Sequence, residues 1–473
     1  MRLLTITIAL AVTASQALAS NDPLYVTSGS WGQDYADQWA LQTVLEDPER
    51  VQTLVGSAAQ PVVVAMIDTG LDWDHLDFSS ENLWNNNDEI PDNNIDDDGN
   101  GYVDDIIGYN FIDRNNLPWD YDGHGTLTAG IIAAQSNNDF GMAGINPNVR
   151  LMVLKAVNDF GNTRAAYLAE AISYAVDNGA RIINLSVGGP DLTNVEEEAL
   201  KQAEQRGVLV VVAAGNNGEE LKNYGFASAD HVLTVAAIDP QKKRAQFSNW
   251  GEAIDVAAPG VDVLSLRARR TDTLLAADGY TPRSAYVGLD NRHYRISGTS
   301  FAVPFVSGVA SLLLSRAPGL DAESIARVIK NSAEDIEAEG IDLLTGYGLV
   351  NAIRALNADP YFFINAEING VRAQKGDNPA VEVLGTARAN QFKSATLSLA
   401  RADDPENWTE VAQITSGGNQ PCPAKGCDPT SLATIPQDQF NEGTSWQLKL
   451  VVEHTNEETR TSLFDLTVKQ RNQ

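Results

Sequence analysis

Cysteine and positive charge are both scarce in this sequence. Only two of its 473 residues are cysteine, and 33 Lys and Arg stand against 63 Asp and Glu, which gives a net charge of -30. This acidic excess argues against nucleic acid or an anionic membrane as a partner. Cys422 and Cys427 supply at most half of a four-ligand zinc site, and no histidine is close to them in sequence, so we do not expect zinc there.

Beyond the N-terminus, we expect no stretch long and apolar enough to cross a membrane. Arg2 precedes an apolar run over residues 3–12, and the small residues of 17–19 complete the pattern of a secretory signal peptide. The alternative is a membrane anchor, but the run is too short to span a bilayer. We therefore predict a signal peptide at residues 1–19 and a secreted protein, extracellular or periplasmic, without a membrane span. In that compartment Cys422 and Cys427 are expected to form a small disulfide loop.

Between about residues 60 and 260, apolar runs alternate with helical patterns. The runs are rich in Val and Ile and show little alternation, as expected of parallel strands buried on both faces. They cover residues 61–67, 150–157, 181–187, 208–214 and 232–238. Helical spacing precedes Gly179 and Gly207, which act as stop signals. This order predicts an α/β fold with a doubly wound parallel sheet.

The pattern changes after residue 357. Short alternating stretches follow, separated by Gly, Asn and Pro, which is typical of a small all-β sandwich. We therefore predict an α/β domain over residues 20–357 and a β-sandwich domain over residues 358–473.

Residues suited to serine chemistry follow the predicted strands. Asp68 comes directly after the first run, and Asn216 follows the fourth, at the edge of a parallel sheet where ligands and catalytic groups collect. His124, one of only five histidines, opens a helical pattern between two glycines. Ser300 begins a deeply apolar helix, where it is either a helix cap or a nucleophile placed where an oxyanion is stabilised. A serine nucleophile needs both a base and an orienting carboxylate.

Five stretches in order resemble the subtilisin-like serine proteases, the subtilase family. They are VVVAMIDTGLD, DGHGTLTAGIIA, INLSVGG, VVVAAGNNG and ISGTSFAVPFVSGVA. The resemblance spans about residues 24–357. It implies that Ser300 is the nucleophile, His124 the general base and acid, and Asp68 the carboxylate that orients His124. It also implies that Asn216 and the Ser300 backbone N–H form an oxyanion hole.

The same resemblance implies where substrate binds. Two segments would sandwich an extended peptide by main-chain hydrogen bonds. They contain Ser186, Val187 and Gly188 on one side and Gly161, Asn162 and Thr163 on the other. The alternative is that both are ordinary turns. We expect protein or peptide substrates and a monomeric enzyme.

An acidic insertion separates Asp68 from His124. Residues 85–105 hold eight carboxylates and no Lys or Arg, so their charges repel unless a cation or solvent screens them. An EF-hand-like spacing assigns candidate calcium ligands to Asp96, Asp98, Asn100, the Tyr102 carbonyl and Asp104, while Ile107 at the twelfth position rules out a full EF-hand. The family resemblance adds Asp77 as a further calcium ligand. The alternatives are a solvated acidic loop and, for Asp77, a plain surface aspartate.

Together these features predict a secreted, calcium-stabilised serine endopeptidase that acts through an acyl-enzyme intermediate. The alternative is a non-catalytic secreted binding protein that retains the same scaffold.

Overall fold

The structure is a computed structural model. It describes residues 21–189, 191–222, 224–269, 271, 274, 285–288, 291–376, 378–420, 427–440 and 445–467. The predicted signal peptide lies outside these residues, and so does Cys422. The leader and the disulfide between Cys422 and Cys427 therefore stay predictions.

Helices and strands alternate through the first two thirds of the chain, and strands dominate the rest. The helices are α1 (Pro23–Val26), α2 (Trp39–Leu45), α3 (Pro48–Val55), α4 (His124–Ala133), α5 (Ala165–Asp177), α6 (Asn194–Gln205), α7 (Val303–Arg316), α8 (Ala322–Ser332) and α9 (Ala352–Asn357). The strands of the first part are β1 (Val62–Asp68), β2 (Gly108–Asn110), β3 (Val149–Lys155), β4 (Ile182–Leu185), β5 (Leu209–Ala213), β6 (Val232–Ile238), β7 (Val256–Pro259), β8 (Val263–Leu266), β9 (Tyr286–Val287) and β10 (His293–Ile296). The later strands are β11 (Ile364–Gln374), β12 (Ala380–Ala389), β13 (Phe392–Arg401), β14 (Asp404–Ile414), β15 (Thr430–Pro436), β16 (Ser445–His454) and β17 (Thr459–Thr467).

The central sheet is parallel, in the order β2-β3-β1-β4-β5-β6-β7. All five predicted strands belong to it, which confirms the predicted fold class. Because β1 lies between β3 and β4, its carboxyl end is flanked by the loops that follow those two strands. Asp68 pairs with Lys155 at that edge.

Helices cover both faces of this sheet. Along β1, Val64 and Met66 belong to the hydrophobic core that includes α4 and α7, whereas Ala65 and Ile67 belong to the core that includes α5 and α6. Successive side chains of a strand point to opposite faces, so a strand with helices on both sides is apolar at every position. This double burial is why the strand sequences show little alternation.

The helix that follows Ser300 is the central core helix. Residues Thr299–Phe301 form a 3₁₀ turn, and α7 begins at Val303, with Pro304 in its first turn. Ser300 therefore precedes the α-helix instead of opening it. The expectation of no further long apolar stretch was wrong: among the described residues, Thr299–Arg316 is one segment that is long and apolar enough to cross a membrane, although 89% of it is buried inside the protein.

The C-terminal strands form two antiparallel sheets with a hydrophobic core of their own, as the sequence predicts for a β-sandwich. Their orders are β11-β12-β15 and β14-β13-β16-β17. The sandwich packs on the loop after α8, where the Ile341 N–H donates to the Thr461 carbonyl at 3.1 Å. At Gly340, with a φ of +89°, a Cβ would lie 2.1 Å from that same carbonyl oxygen. The two backbones therefore touch closely enough to require glycine.

Candidate active site

Asp68 and His124 form a hydrogen-bonded pair at the carboxyl edge of the parallel sheet. Asp68 is fully buried, and its Oδ1 accepts from His124 Nδ1 at 2.7 Å. The same oxygen accepts from the Thr69 N–H at 2.7 Å, and Oδ2 accepts from the Thr128 hydroxyl at 3.3 Å. Because Nδ1 faces a carboxylate, it carries the proton, and Nε2 is left as the basic nitrogen.

The charges around His124 favour its protonated form. Burial lowers the pKa of the imidazole, but the charge and hydrogen bond of Asp68, together with the charges of Asp122 and Asp120, raise the pKa of His124 to about 9. Burial and the neighbouring Asp120 raise the pKa of Asp122 to about 6. An imidazolium formed by proton uptake at Nε2 is therefore strongly stabilised, as a general base requires.

The residue after Ser300 packs against this pair. The His124 ring is 5.3 Å, centroid to centroid, from the ring of Phe301, the residue after Ser300. The Ser300 hydroxyl donates to the Ser186 carbonyl at 2.9 Å, and the Ser186 hydroxyl donates to the Ser300 carbonyl at 2.9 Å. This reciprocal pair fixes the Ser300 backbone, and the Ser300 hydroxyl must leave the Ser186 carbonyl to reach His124.

Asn216 is held against the turn that carries Ser300. Its Oδ1 accepts from the Thr299 N–H at 2.8 Å. Asn216 is exposed, and the donor end of its amide, Nδ2, lies 3.7 Å from where a Cβ of Gly298 would stand, two residues before Ser300. An amide donor and free N–H groups near a helix start are suited to stabilising an oxyanion.

The two segments predicted to bind substrate follow β3 and β4, on either side of β1. The Thr163 hydroxyl anchors the first by donating to the Ala156 carbonyl at 2.6 Å, and Asn162 and Gly161 are exposed. In the second, Val187 is half-buried and a Cβ at Gly188 would have no neighbour within 4 Å. Both segments leave backbone accessible beside the Asp68–His124 pair.

Three carboxylates of the acidic insertion converge. Glu89, Asp96 and Asp98 each offer an oxygen within 4.8 Å of the others. The sequence analysis missed Glu89. It is buried, and its Oε1 accepts from the N–H groups of Asp97 at 2.8 Å and Asp98 at 3.1 Å. A set of oxygen donors without a neighbouring Lys or Arg in the loop fits a hard cation such as Ca²⁺.

Of the other predicted calcium ligands in this loop, one contacts the carboxylate cluster directly, one contacts it through a neighbour, and the carboxylate of the third accepts its hydrogen bonds elsewhere. Asn100 contacts it, because Nδ2 of Asn100 donates to Oδ2 of Asp98 at 3.0 Å. The Tyr102 N–H donates to Oδ1 of Asn100 at 2.8 Å. The Asp104 carboxylate instead accepts from the Asn94 N–H at 3.0 Å, so it stabilises the turn before Asp96.

Asp77 takes its hydrogen bonds from other parts of the chain. It is fully buried, so it is not the plain surface aspartate of the alternative prediction. Its Oδ1 accepts from Nδ2 of Asn138 at 2.9 Å, and its Oδ2 accepts from the Met142 N–H at 2.7 Å and is 3.0 Å from Nε2 of His293. These contacts occupy both carboxylate oxygens.

Comparison with known proteins identifies the family. The sequence profile of the Subtilase family matches residues 59–348. The chain belongs to the subtilase family of subtilisin-like serine proteases. Thermitase of Thermoactinomyces vulgaris is 32% identical over 336 residues, which cover 71% of this chain and 98% of thermitase.

Two further relatives are longer than the matched region. A thermophilic serine proteinase of Bacillus sp. (strain AK1) is 36% identical over 64% of this chain and 62% of its own length. The cell wall-associated protease of Bacillus subtilis (strain 168) is 32% identical over 62% of this chain, but only 34% of that protein is matched. Among solved structures, the crystal structure of a lanthipeptide protease matches with a TM-score of 0.53 and 25% identity, covering 67% of this chain and 93% of the other.

Proposed function

We propose that this subtilase is a secreted, calcium-stabilised serine endopeptidase that works through an acyl-enzyme intermediate. The observation that carries the proposal is the 2.7 Å hydrogen bond between Asp68 Oδ1 and His124 Nδ1, with the His124 ring packed against Phe301, the residue after Ser300. A buried carboxylate that fixes the tautomer of a histidine next to a serine is the arrangement that activates a serine hydroxyl.

In the proposed reaction, Ser300 Oγ bonds to the carbonyl carbon of the scissile peptide bond while His124 Nε2 takes the hydroxyl proton. Nδ2 of Asn216 and the Ser300 N–H stabilise the resulting oxyanion. His124 then gives its proton to the leaving amine as the C–N bond breaks. A water, deprotonated by His124, hydrolyses the acyl group from Ser300 by the same steps in reverse.

Substrate would bind as an extended strand between the segments after β3 and β4. Main-chain hydrogen bonds hold peptides of any sequence, so endopeptidase activity needs no fixed motif. The exposed Gly161 and Gly188 leave room for a substrate backbone on each side.

A Ca²⁺ ion would be held by Glu89, Asp96 and Asp98, with the Asn100 side chain, the Tyr102 carbonyl and Asp104 nearby in the same loop. When bound, the ion would neutralise repelling carboxylates and order the insertion between Asp68 and His124. It would supply stability and take no part in peptide-bond cleavage.

Hydrolysis of a fluorogenic peptide library by the secreted protein tests this proposal. Wild-type protein should cleave internal peptide bonds in peptides of many different sequences. The Ser300→Ala variant should cleave none of them while keeping the same melting temperature. If the wild type binds peptides without cleaving any of them, the alternative of a non-catalytic binding protein replaces the proposal.

A further inference from the structure

A second buried carboxylate, Asp120, lies in the turn before α4. It is fully buried, so it cannot touch a substrate. It accepts five hydrogen bonds, from the Thr69 hydroxyl at 2.9 Å, the N–H groups of Asp122 at 3.1 Å, Gly123 at 2.8 Å and Thr126 at 2.8 Å, and the Thr126 hydroxyl at 2.6 Å.

These bonds join the two halves of the Asp68–His124 pair. Thr69 follows Asp68 at the end of β1, whereas Gly123 and Thr126 flank His124 at the start of α4. Thr69 is itself a bridge, because its hydroxyl donates to Asp120 and accepts from the Gly125 N–H at 2.9 Å. Asp120 is thus connected to the residues beside both members of the pair.

The geometry of this site fits an ionised carboxylate. Burial raises the pKa of Asp120 above its ordinary value, although the hydrogen bonds from Thr126 and Gly123 act to lower it. All five of its partners donate to it, and three of them are N–H groups, which could not accept a hydrogen bond from a protonated carboxyl. Burying a carboxylate charge costs a large desolvation free energy unless hydrogen-bond donors replace the lost water. The five donors around Asp120 provide this replacement, and without the carboxylate they would be left without an acceptor.

We infer that Asp120 is a positioning residue, which holds the start of α4 against the end of β1 so that His124 Nδ1 stays in line with Asp68 Oδ1. This inference rests on the proposed function, because it assigns Asp120 a part in the same reaction. The start of α4 packs tightly on the backbone that follows β1, since a Cβ at Gly125 would lie 2.1 Å from the Gly70 carbonyl oxygen. The turn before α4 therefore has little room to shift. A shift of the turn must therefore displace His124 itself.

Asp120→Asn is the informative variant. Asn keeps the size of the side chain, but its Nδ2 would face the Thr126 N–H or the donors on the other oxygen, so at least one bond is lost. We expect kcat to fall about tenfold to a hundredfold with little change in KM, as for a small misplacement of a catalytic group. The acid limb of kcat/KM should also move to lower pH, because one of the carboxylates that raise the pKa of His124, alongside Asp68 and Asp122, is neutralised.

Asp342→Asn is a matched control. Asp342 is a second carboxylate whose pKa is raised by burial, and it accepts from the Leu344 and Thr345 N–H groups and the Thr345 hydroxyl in a similar local turn. It belongs to the loop between α8 and α9. The control should lower the melting temperature without changing kcat or the pH profile.

Proton NMR of the histidine ring N–H groups reports the positioning directly. In the wild type, the proton on His124 Nδ1 should give a downfield, slowly exchanging resonance, which His124→Asn removes. In Asp120→Asn this resonance should move upfield and exchange faster. If Asp120→Asn is too unstable to study, Thr69→Val removes the bridging hydroxyl and should produce the same loss of kcat and the same change in the resonance.

Two results would overturn the inference while leaving the proposed function intact. One is an active wild type whose Asp120→Asn variant keeps the wild-type kcat, pH profile and ring resonance. The other is a variant that loses stability and activity together, with the resonance and the acid limb unmoved, because that outcome describes a merely structural aspartate. An inactive wild type would instead contradict the proposed function itself.

Discussion

Asn216 and Thr299 are locked together by two hydrogen bonds, since Oδ1 of Asn216 accepts from both the N–H of Thr299 at 2.8 Å and its hydroxyl at 2.9 Å. Thr299 immediately precedes Ser300, so the amide of Asn216 is tied to the turn that presents the proposed nucleophile. The acceptor end of the amide is occupied, and only the donor end is available to a developing oxyanion.

Replacing Asn216 by Ala should therefore lower kcat and leave KM nearly unchanged, because the lost bond strengthens only in the transition state. The expected loss is ~10²–10³-fold, a figure that comes from the equivalent asparagine of subtilisin, itself a member of this family. Asn217→Ala is the matched control and should have near wild-type kinetics. An Asn216→Ala variant that changes only KM would exclude the oxyanion role.

The pH dependence of catalysis should be shifted towards alkaline pH. The base form of His124 is neutral, so kcat/KM should rise about tenfold per pH unit up to the pKa of about 9 and level off above it. Asp122→Asn removes a negative charge that stabilises the imidazolium, so its rate profile should level off at lower pH. Asp113→Asn, an exposed aspartate of the preceding loop, should leave the profile in place. A wild-type midpoint near the ordinary histidine value of about 6.5 would contradict the electrostatic description.

Calcium should raise the melting temperature, and chelation should lower it. A ligand that binds only the folded state adds about 2.7 kcal/mol of stability at a hundred times its Kd. Glu89→Gln and Asp98→Ala should each reduce the difference between melting in calcium and in chelator, measured by calorimetry. Asp88→Asn, an exposed carboxylate of the same loop outside the cluster, should keep that difference. Equal melting temperatures in calcium and chelator would show that the loop is merely solvated.

The C-terminal sandwich should stabilise the catalytic domain through Arg460. Its Nη2 donates to the Asn331 carbonyl at 2.7 Å, and its guanidinium lies 5.6 Å from the centre of the Tyr347 ring. Arg460→Ala should therefore reduce the free energy of unfolding by about 1.5–3 kcal/mol, as expected for a partly buried hydrogen bond from a charged group. Arg401→Ala, which removes an exposed ion pair with Asp403 within the sandwich, should cost under about 1 kcal/mol. Equal losses of unfolding free energy in chemical denaturation would mean that Arg460 stabilises the protein no more than an exposed ion pair does.

The central sheet and the residues at its edge could be predicted from the sequence. Strands buried on both faces are continuous apolar runs, and the side chains after them must collect at one edge of a parallel sheet. That reasoning predicts Asp68 and Asn216 at one edge of the sheet from the sequence alone. His124 was found because histidines are few and this one stands between glycines at a helix start.

Other features depend on contacts that the order of residues does not encode. Glu89 joins Asp96 and Asp98 only because its side chain turns back to accept from backbone N–H groups eight and nine positions further on. Asp77 meets His293 from β10, more than two hundred positions away. The role of Asp120 was equally hidden, because four of its donors lie within six residues of it and only the Thr69 hydroxyl, 51 positions away, connects it to the end of β1.

The central claim is that Ser300 is an activated nucleophile, and covalent labelling with a fluorophosphonate tests it most directly. The reagent phosphonylates a serine only when a base removes its proton. We predict one adduct per wild-type chain, located by mass spectrometry on the peptide that contains Ser300, and no adduct on Ser300→Ala or on wild type that has been unfolded first. Folded wild-type protein that stays unlabelled at pH 9 to 10, or a label on any other residue, would contradict the account.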